Sequence, residues 1–340
     1  MEPWYPRCPP VFGLTAPARI GSEPGPTPGA AGGPRWRRTS HGLHVPVTAE
    51  RNVEQRIIEA AARLPVGAML TGWAALRLAR AAYFDGRGTD VPVLLPHTSR
   101  IRAPGVRVTR TRRALPRPVT GYGVPCAPTE LALLHELDRE ADPRECVVMV
   151  EMALLAKVVD RARLRHAVLA TRGVHSRIAV AVERATGEYR SPPEVRMALV
   201  WEWDAGHPPA LPNHAVLDRE GTTLAVVDLL DPEAGTYGEY DGETHRSRAR
   251  HRNDVERAEK LRDVGLESFT VVAGDPVDVQ VARMRAARRR AAWLAESQRT
   301  WQVGPHVPMH RLTRPLTSDE MSLLELEQGP PDEDWGTRPG

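Results

Sequence analysis

Between Asn213 and Gly274 the chain repeats one kind of segment, short, branched and apolar, and changes grammar once. "NHAVLD" ends at the turn "REG", "TTLAVVDLL" and "GTYGEYDG" follow, a polar helical stretch spans 251–264 and stops at Gly265, and "ESFTVVAG" closes the series. Turns this short favour a meander of three strands, with a helix before the fourth. Upstream, a helix interrupted at "EYRSPPE" resumes through "EVRMALVWEW", where Pro192 and Pro193 suit a helix start and Glu194 lies in the first turn. Downstream, 276–294 reads as an Arg-rich helix. The order over residues 176–297 is therefore α, β, β, β, α, β, α. That order fixes the fold class as α/β, α+β overall, and any functional group must be placed on this frame.

The rest of the chain divides by composition. Residues 1–34 are dense in proline and glycine ("GSEPGPTPGAAGGP"), which removes backbone donors and raises the entropy cost of order, so a loop is expected. Residues 35–175 read as a mixed α/β region. Its parts are a hairpin in "RWRRTSHGLHVPV", helical patterns within 53–82, strands "VPVLLP" and "GVRVTRT", and helices in 128–137, 146–157 and 164–171. Thr71 is the expected N-cap of the second of these helices. Residues 298–340 turn proline-rich and then acidic, as expected of a disordered tail.

Composition narrows the functional classes. Of 46 basic residues only Lys157 and Lys260 are lysine, a skew that suits a GC-rich bacterial genome and also makes good phosphate contacts. A net charge of +3 does not by itself name a nucleic-acid partner. Cys8, Cys126 and Cys146 have neither zinc-site spacing nor the density of a disulfide scaffold, so a reducing, cytoplasmic setting is expected. No long apolar window or signal-type N-terminus argues for a membrane.

The chemistry-bearing residues fall on the αβββαβ frame. Asp228 is read at the end of the second strand, Glu239 near the end of the third, and Glu194 on the preceding helix; Asp241 and His245 follow in "GEYDGETHRSRARHRND". This segment and its element order resemble the restriction-endonuclease-like domains related to very-short-patch mismatch-repair endonucleases. The resemblance implies that Asp228 and Glu239 bind Mg²⁺ or Mn²⁺, helped by Glu194, with Asp241 and His245 completing a catalytic set. Such a site suits phosphodiester hydrolysis, because a hard divalent cation held by oxygens neutralises the developing oxyanion and lowers the pKa of bound water. The wider family carries a lysine where this chain has Asp241, and the very-short-patch relatives lack that lysine and use histidine. Arg246, Arg252 and Arg257 would then rim the site and contact a DNA backbone. The bland reading of the same residues is a solvated helix face with Asp254, Glu256 and Glu259 as partners.

"RWRRTSHGLHVP", "LTGWAALRLARAAYFDG" and "GVPCAPTELALLHEL" resemble the type IV antitoxins of bacterial abortive-infection systems. That resemblance implies a partly winged-helix-like N-terminal half and a cognate toxin as partner. Three functions remain open on sequence: a metal-dependent DNA endonuclease, a DNA-binding regulator or antitoxin with an inert nuclease-like domain, and a structural polar network without metal.

Overall fold

Alternation of apolar and polar residues in short valine-rich runs builds sheets, and helical spacing builds their cover. The computed structural model describes residues 4–99, 101, 104–171, 173–242 and 248–309, excluding the side chains of 248–255. Among them the chain is a mixed α/β protein with three sheets and nine helices. No helix among the described residues is long and apolar enough to cross a membrane. The chain divides into two units, one spanning Arg7–Pro128 and the other running from Thr129 to the end of the described chain.

The first unit holds two sheets. β1 (Ala18–Arg19), β2 (Trp36–Ser40) and β3 (Leu43–Pro46) pair in the order β1-β3-β2, and α1 (Val53–Ala61) follows. Asn52 caps α1 through its side chain, and Arg37 on β2 grips Glu59 on α1 with two hydrogen bonds of 2.9 and 2.7 Å. The expected hairpin is thus present. Before Arg35 no described residue is helical.

β4 (Met69–Leu70), α2 (Gly72–Leu78), β5 (Val91–Pro96), β6 (Val106–Thr111), β7 (Val119–Gly121) and β8 (Val124–Cys126) complete this unit. The sheet order is β6-β5-β4-β8-β7, so β6 and β7 are its two edges. β5 is buried along nearly all of "VPVLLP", as a central strand covered on both faces must be.

The second unit begins earlier than composition suggested. α3 (Thr129–Leu137), α4 (Pro143–Leu155) and α5 (Arg161–Ala170) belong with α6 (Ser176–Arg184) and α7 (Pro192–Leu199), so the boundary lies at residue 129 and not at 176. The reason is packing: α4 buries Val147, Val148, Val150 and Met152 and packs against α6 and α7. Amphipathic spacing reveals an apolar face without revealing which partner covers it.

α7 passes through a π-helical turn, Val200–Asp204, into β9 (Leu211–Asp218), β10 (Thr223–Asp231) and β11 (Thr236–Asp241); α8 (Arg248–Asp263), β12 (Glu267–Val272) and α9 (Val277–Arg290) follow. The expected meander is present: β9, β10 and β11 are successive antiparallel neighbours, and the α8 crossover returns β12 parallel to β11.

The β10–β11 hairpin is locked by Asp231. Its Oδ1 accepts from the Glu233 and Ala234 N–H groups at 3.1 and 3.4 Å, its Oδ2 accepts from Arg288 Nε at 2.9 Å, and Gly235 supplies the positive φ of +78°. Gly238 on β11 is needed for a different reason, since a Cβ there would lie 2.2 Å from the Phe269 ring. Phe269 in turn stacks on Trp201 with centroids 5.3 Å apart.

The tail expected from residue 298 begins instead with a fifth strand, β13 (Trp301–His306), which pairs with β9 and makes the order β12-β11-β10-β9-β13. Trp301 is buried with Val216, Val227, Leu230, Tyr237 and Leu261 in the cluster that joins sheet and α8. An alternating stretch containing Gly304 and Pro305 hides its strand character in the sequence. Residues 310–340 lie outside the described residues. Trp301→Ala is expected to destabilise the second unit by about 3–5 kcal/mol, the usual cost of truncating a buried aromatic, measured by urea unfolding.

Candidate active site

The site forms where two ladders are interrupted. The β10–β11 ladder stops at Leu229↔Gly238, and the β9–β10 ladder passes from Val227↔His214 to Leu229↔Pro212, skipping the step between Asp228 and Asn213. Asn213 has φ +51°, an unusual value inside a strand. Beyond the last ladder pair, Asp228 replaces the missing backbone partner: its Oδ2 accepts the Tyr240 N–H at 2.9 Å. Asp228 therefore lies inside β10, three residues before its end, and not at the end as the sequence implied. Glu239, adjacent to Tyr240, is carried to the same opening.

Glu194 arrives from α7 as half of a capping box. Ser191 is the N-cap, its Oγ donates to Glu194 Oε1 at 2.8 Å, and Glu194 Oε2 accepts the Arg190 N–H at 2.9 Å. Oε2 also accepts from Asn213 Nδ2 at 3.0 Å. Both oxygens of Glu194 thus already hold hydrogen bonds. The loop that delivers Ser191 is itself pinned by Glu151 on α4, a fully buried carboxylate that accepts the Thr186 and Gly187 N–H groups at 2.8 and 2.6 Å.

Arg257 on α8 supplies the positive charge. One of its Nη atoms donates to both Glu239 Oε1 and the Val226 carbonyl, closing the gap between the splayed strands. The expected rim arginine is therefore an inner member of the cluster. Glu239 keeps 26% of its side-chain surface, so surrounding protein desolvates its carboxyl while an outside species can still reach it.

The electrostatics follow from crowding. Burial pushes Asp228 upward, against the Tyr240 N–H and the Arg257 and Arg190 charges. Burial and then the Asp228 charge push Glu194 upward, opposed by its hydrogen bonds from Asn213, Arg190 and Ser191. Burial, reinforced by Asp228 and Glu194 and opposed by Arg257, pushes Glu239 up to about 8. Burial, with repulsion from neighbouring carboxyls at Glu194 and Glu239, thus raises the proton affinity of all three groups.

Of the other residues singled out in the sequence, Asp241 ends β11 two residues beyond Glu239 and is half-buried, with its carbonyl accepting the Ala273 N–H at 3.0 Å. His245 and Arg246 lie outside the described residues, and Arg252 is on α8 with its side chain outside the described ones. Among the described residues, no three His, Cys, Asp or Glu side chains form a group close enough to hold a metal ion. Asp228 and Glu239 are oxygen donors of the hard type, and one or two carboxylates completed by water and substrate oxygens suffice for Mg²⁺, so the pair fits that ion without Glu194 as a direct ligand.

Two participants escaped the sequence reading. Asn213 is fully buried, donates to Glu194 and to the Glu188 carbonyl, and leaves its Oδ1 without a partner; Arg190 contributes charge to Asp228 and has a buried Nε without a partner. An asparagine inside a strand run was the available signal for the first, since asparagine is depleted in strands. Comparison with known proteins finds no matching family model, curated protein or solved structure.

The raised pKa of Glu239 makes stability fall as pH rises. The folded state holds a proton that the unfolded chain has already lost near pH 4.5, so the loss accumulates from there to about 8 and is complete above it. Glu239→Gln is expected to flatten that slope and to recover a few kcal/mol at most at pH 8, read from urea unfolding across the range.

Proposed function

We propose that the chain is a metal-dependent, nuclease-like hydrolase of DNA phosphodiester bonds, centred on Asp228 and Glu239. The convergence of Asp228 and Glu239 at a splayed strand pair, with Glu194 behind them, carries this reading. Buried carboxyls that raise one another's proton affinity make a place where a divalent cation relieves repulsion. The resemblance to very-short-patch-repair endonucleases in "GEYDGETH" and in the αβββαβ order supports the same reading.

In it, Asp228 and Glu239 hold Mg²⁺ or Mn²⁺, and Glu194 acts from behind by fixing Asn213 and raising the negative potential. The ion, when bound, supplies charge neutralisation at the phosphate and a water acidic enough to attack. The chain's own groups do the rest. The Tyr240 N–H keeps the Asp228 carboxylate oriented, and Ser191, Arg190 and Asn213 hold Glu194. Arg257, which donates to Glu239 and the Val226 carbonyl at the mouth of the site, would donate to a phosphate oxygen. His245 takes the proton-handling role.

A second reading has its own observation. Arg257 already neutralises Glu239, both Glu194 oxygens are engaged, and Asp241 stands where a lysine aids many relatives. A site satisfied in this way also suits an inert domain in a DNA-binding regulator or antitoxin with a cognate toxin.

Incubation of supercoiled, nicked, mismatched and single-stranded DNA with Mg²⁺ or Mn²⁺ separates the two. Cleavage lost by roughly a hundredfold or more in Asp228→Ala and in Glu239→Ala is the expected result. Cleavage that survives both substitutions sinks the assignment. Calorimetric titration with Mn²⁺ should give an affinity that rises with pH up to about 8, because the ion displaces the Glu239 proton. Binding without cleavage would favour the regulator.

A further inference from the structure

Both units pair arginines with acids, and in the first Arg37 pairs with Glu59, Arg77 with Glu54 and Arg87 with Asp85. In the second unit they are paired with acids: Arg144 with Asp204, Arg165 with Glu183, Arg184 with Glu202, Arg196 with Glu145, Arg283 with Asp275 and Arg290 with Glu267. In the first unit no aspartate or glutamate occurs between Asp90 and Glu130, so that stretch has no acid of its own to pair with. Here β6 forms an edge of its sheet, and residues 112–118 lead from it to β7 at the opposite edge.

Arg110, Arg112, Arg113 and Arg117 are all exposed along this path, and none forms an ion pair among the described residues. Arg110 alone is tethered, its Nε donating to the Ser99 carbonyl at 3.2 Å. Adjacent like charges repel, so a polyanion bound along this cluster would relieve that repulsion. Charged side chains do protect exposed sheet edges from aggregation, but that need ends with the strand, whereas the arginines continue into the irregular segment beyond it.

We infer that the β6 edge and the segment after it bind the phosphate backbone of a nucleic acid without reading its sequence. Guanidinium groups match phosphate oxygens two at a time, and an extended chain spaces alternate side chains about 6–7 Å apart, suited to following a row of phosphates. The amphipathic helix of this unit, α1, has its apolar side chains Ile57, Ile58 and Ala60 buried in the protein, which disfavours a lipid surface. The surface is separate from the Asp228–Glu239 site and does not depend on the hydrolase reading.

The full chain is titrated into a fluorescein-labelled DNA duplex of arbitrary sequence in EDTA, and anisotropy is followed over a salt series. Binding should weaken with salt, each phosphate neutralised contributing about −0.9 to the log–log slope. Arg112→Ser with Arg113→Ser should reduce the slope by about 2 and the affinity at low salt about tenfold. Arg165→Ser, an exposed arginine of the other unit, should change neither.

No binding by the parent chain, or a slope unchanged by the paired substitution, overturns the inference. So does a paired variant that aggregates while its remaining soluble fraction binds normally, because the arginines would then serve only to protect the edge. Arginine-dependent retention on phosphatidylserine vesicles with no duplex binding also overturns it, in favour of a membrane surface.

Discussion

A single hydrogen bond from the Tyr240 N–H to the Asp228 carboxylate organises the second unit's site, because it stands where a ladder bond would otherwise be. The two central strands can separate there without leaving that N–H orphaned. The separation creates the space in which Glu239 and Arg257 meet, and Arg257 satisfies the Val226 carbonyl on the other side of the gap. Asp228 thus has both a structural and an electrostatic role. Its removal would expose a backbone donor as well as remove a charge.

Support for this opening comes from groups that never touch it. Glu151 holds the loop before α7, that loop presents Ser191 and Arg190, and these hold Glu194. Asn213 joins the set by bridging Glu194 and the Glu188 carbonyl. At the far end of the hairpin, Asp231, Gly235 and Arg288 fix the register that brings Asp228 and Glu239 together. The carboxyls are therefore positioned by hydrogen bonds at both ends.

Both units neutralise arginines locally with acids, as Arg37–Glu59 and Arg77–Glu54 do in the first and Arg184–Glu202 and Arg283–Asp275 in the second. In the first, positive charge collects on a sheet edge without acids.

The meander, the helix before it and the crossover to β12 were legible in the sequence, because each strand is bounded by turn residues and each apolar run has one period. Asp228, Glu239 and Glu194 were legible because strand ends and a helix start constrain where acids can go. Other features depended on contacts between segments distant in the chain. β13 is a strand only because β9 offers it an edge, and α3 to α5 join the second unit only because α4 packs against α6 and α7. Arg257, half-buried, reaches from the rim to Glu239 and the Val226 carbonyl because the strands splay beside it, and Asn213 enters the site through a positive φ that spacing does not announce. Local periodicity determines which segments are strands and helices; only the folded chain decides which buried charges must face one another.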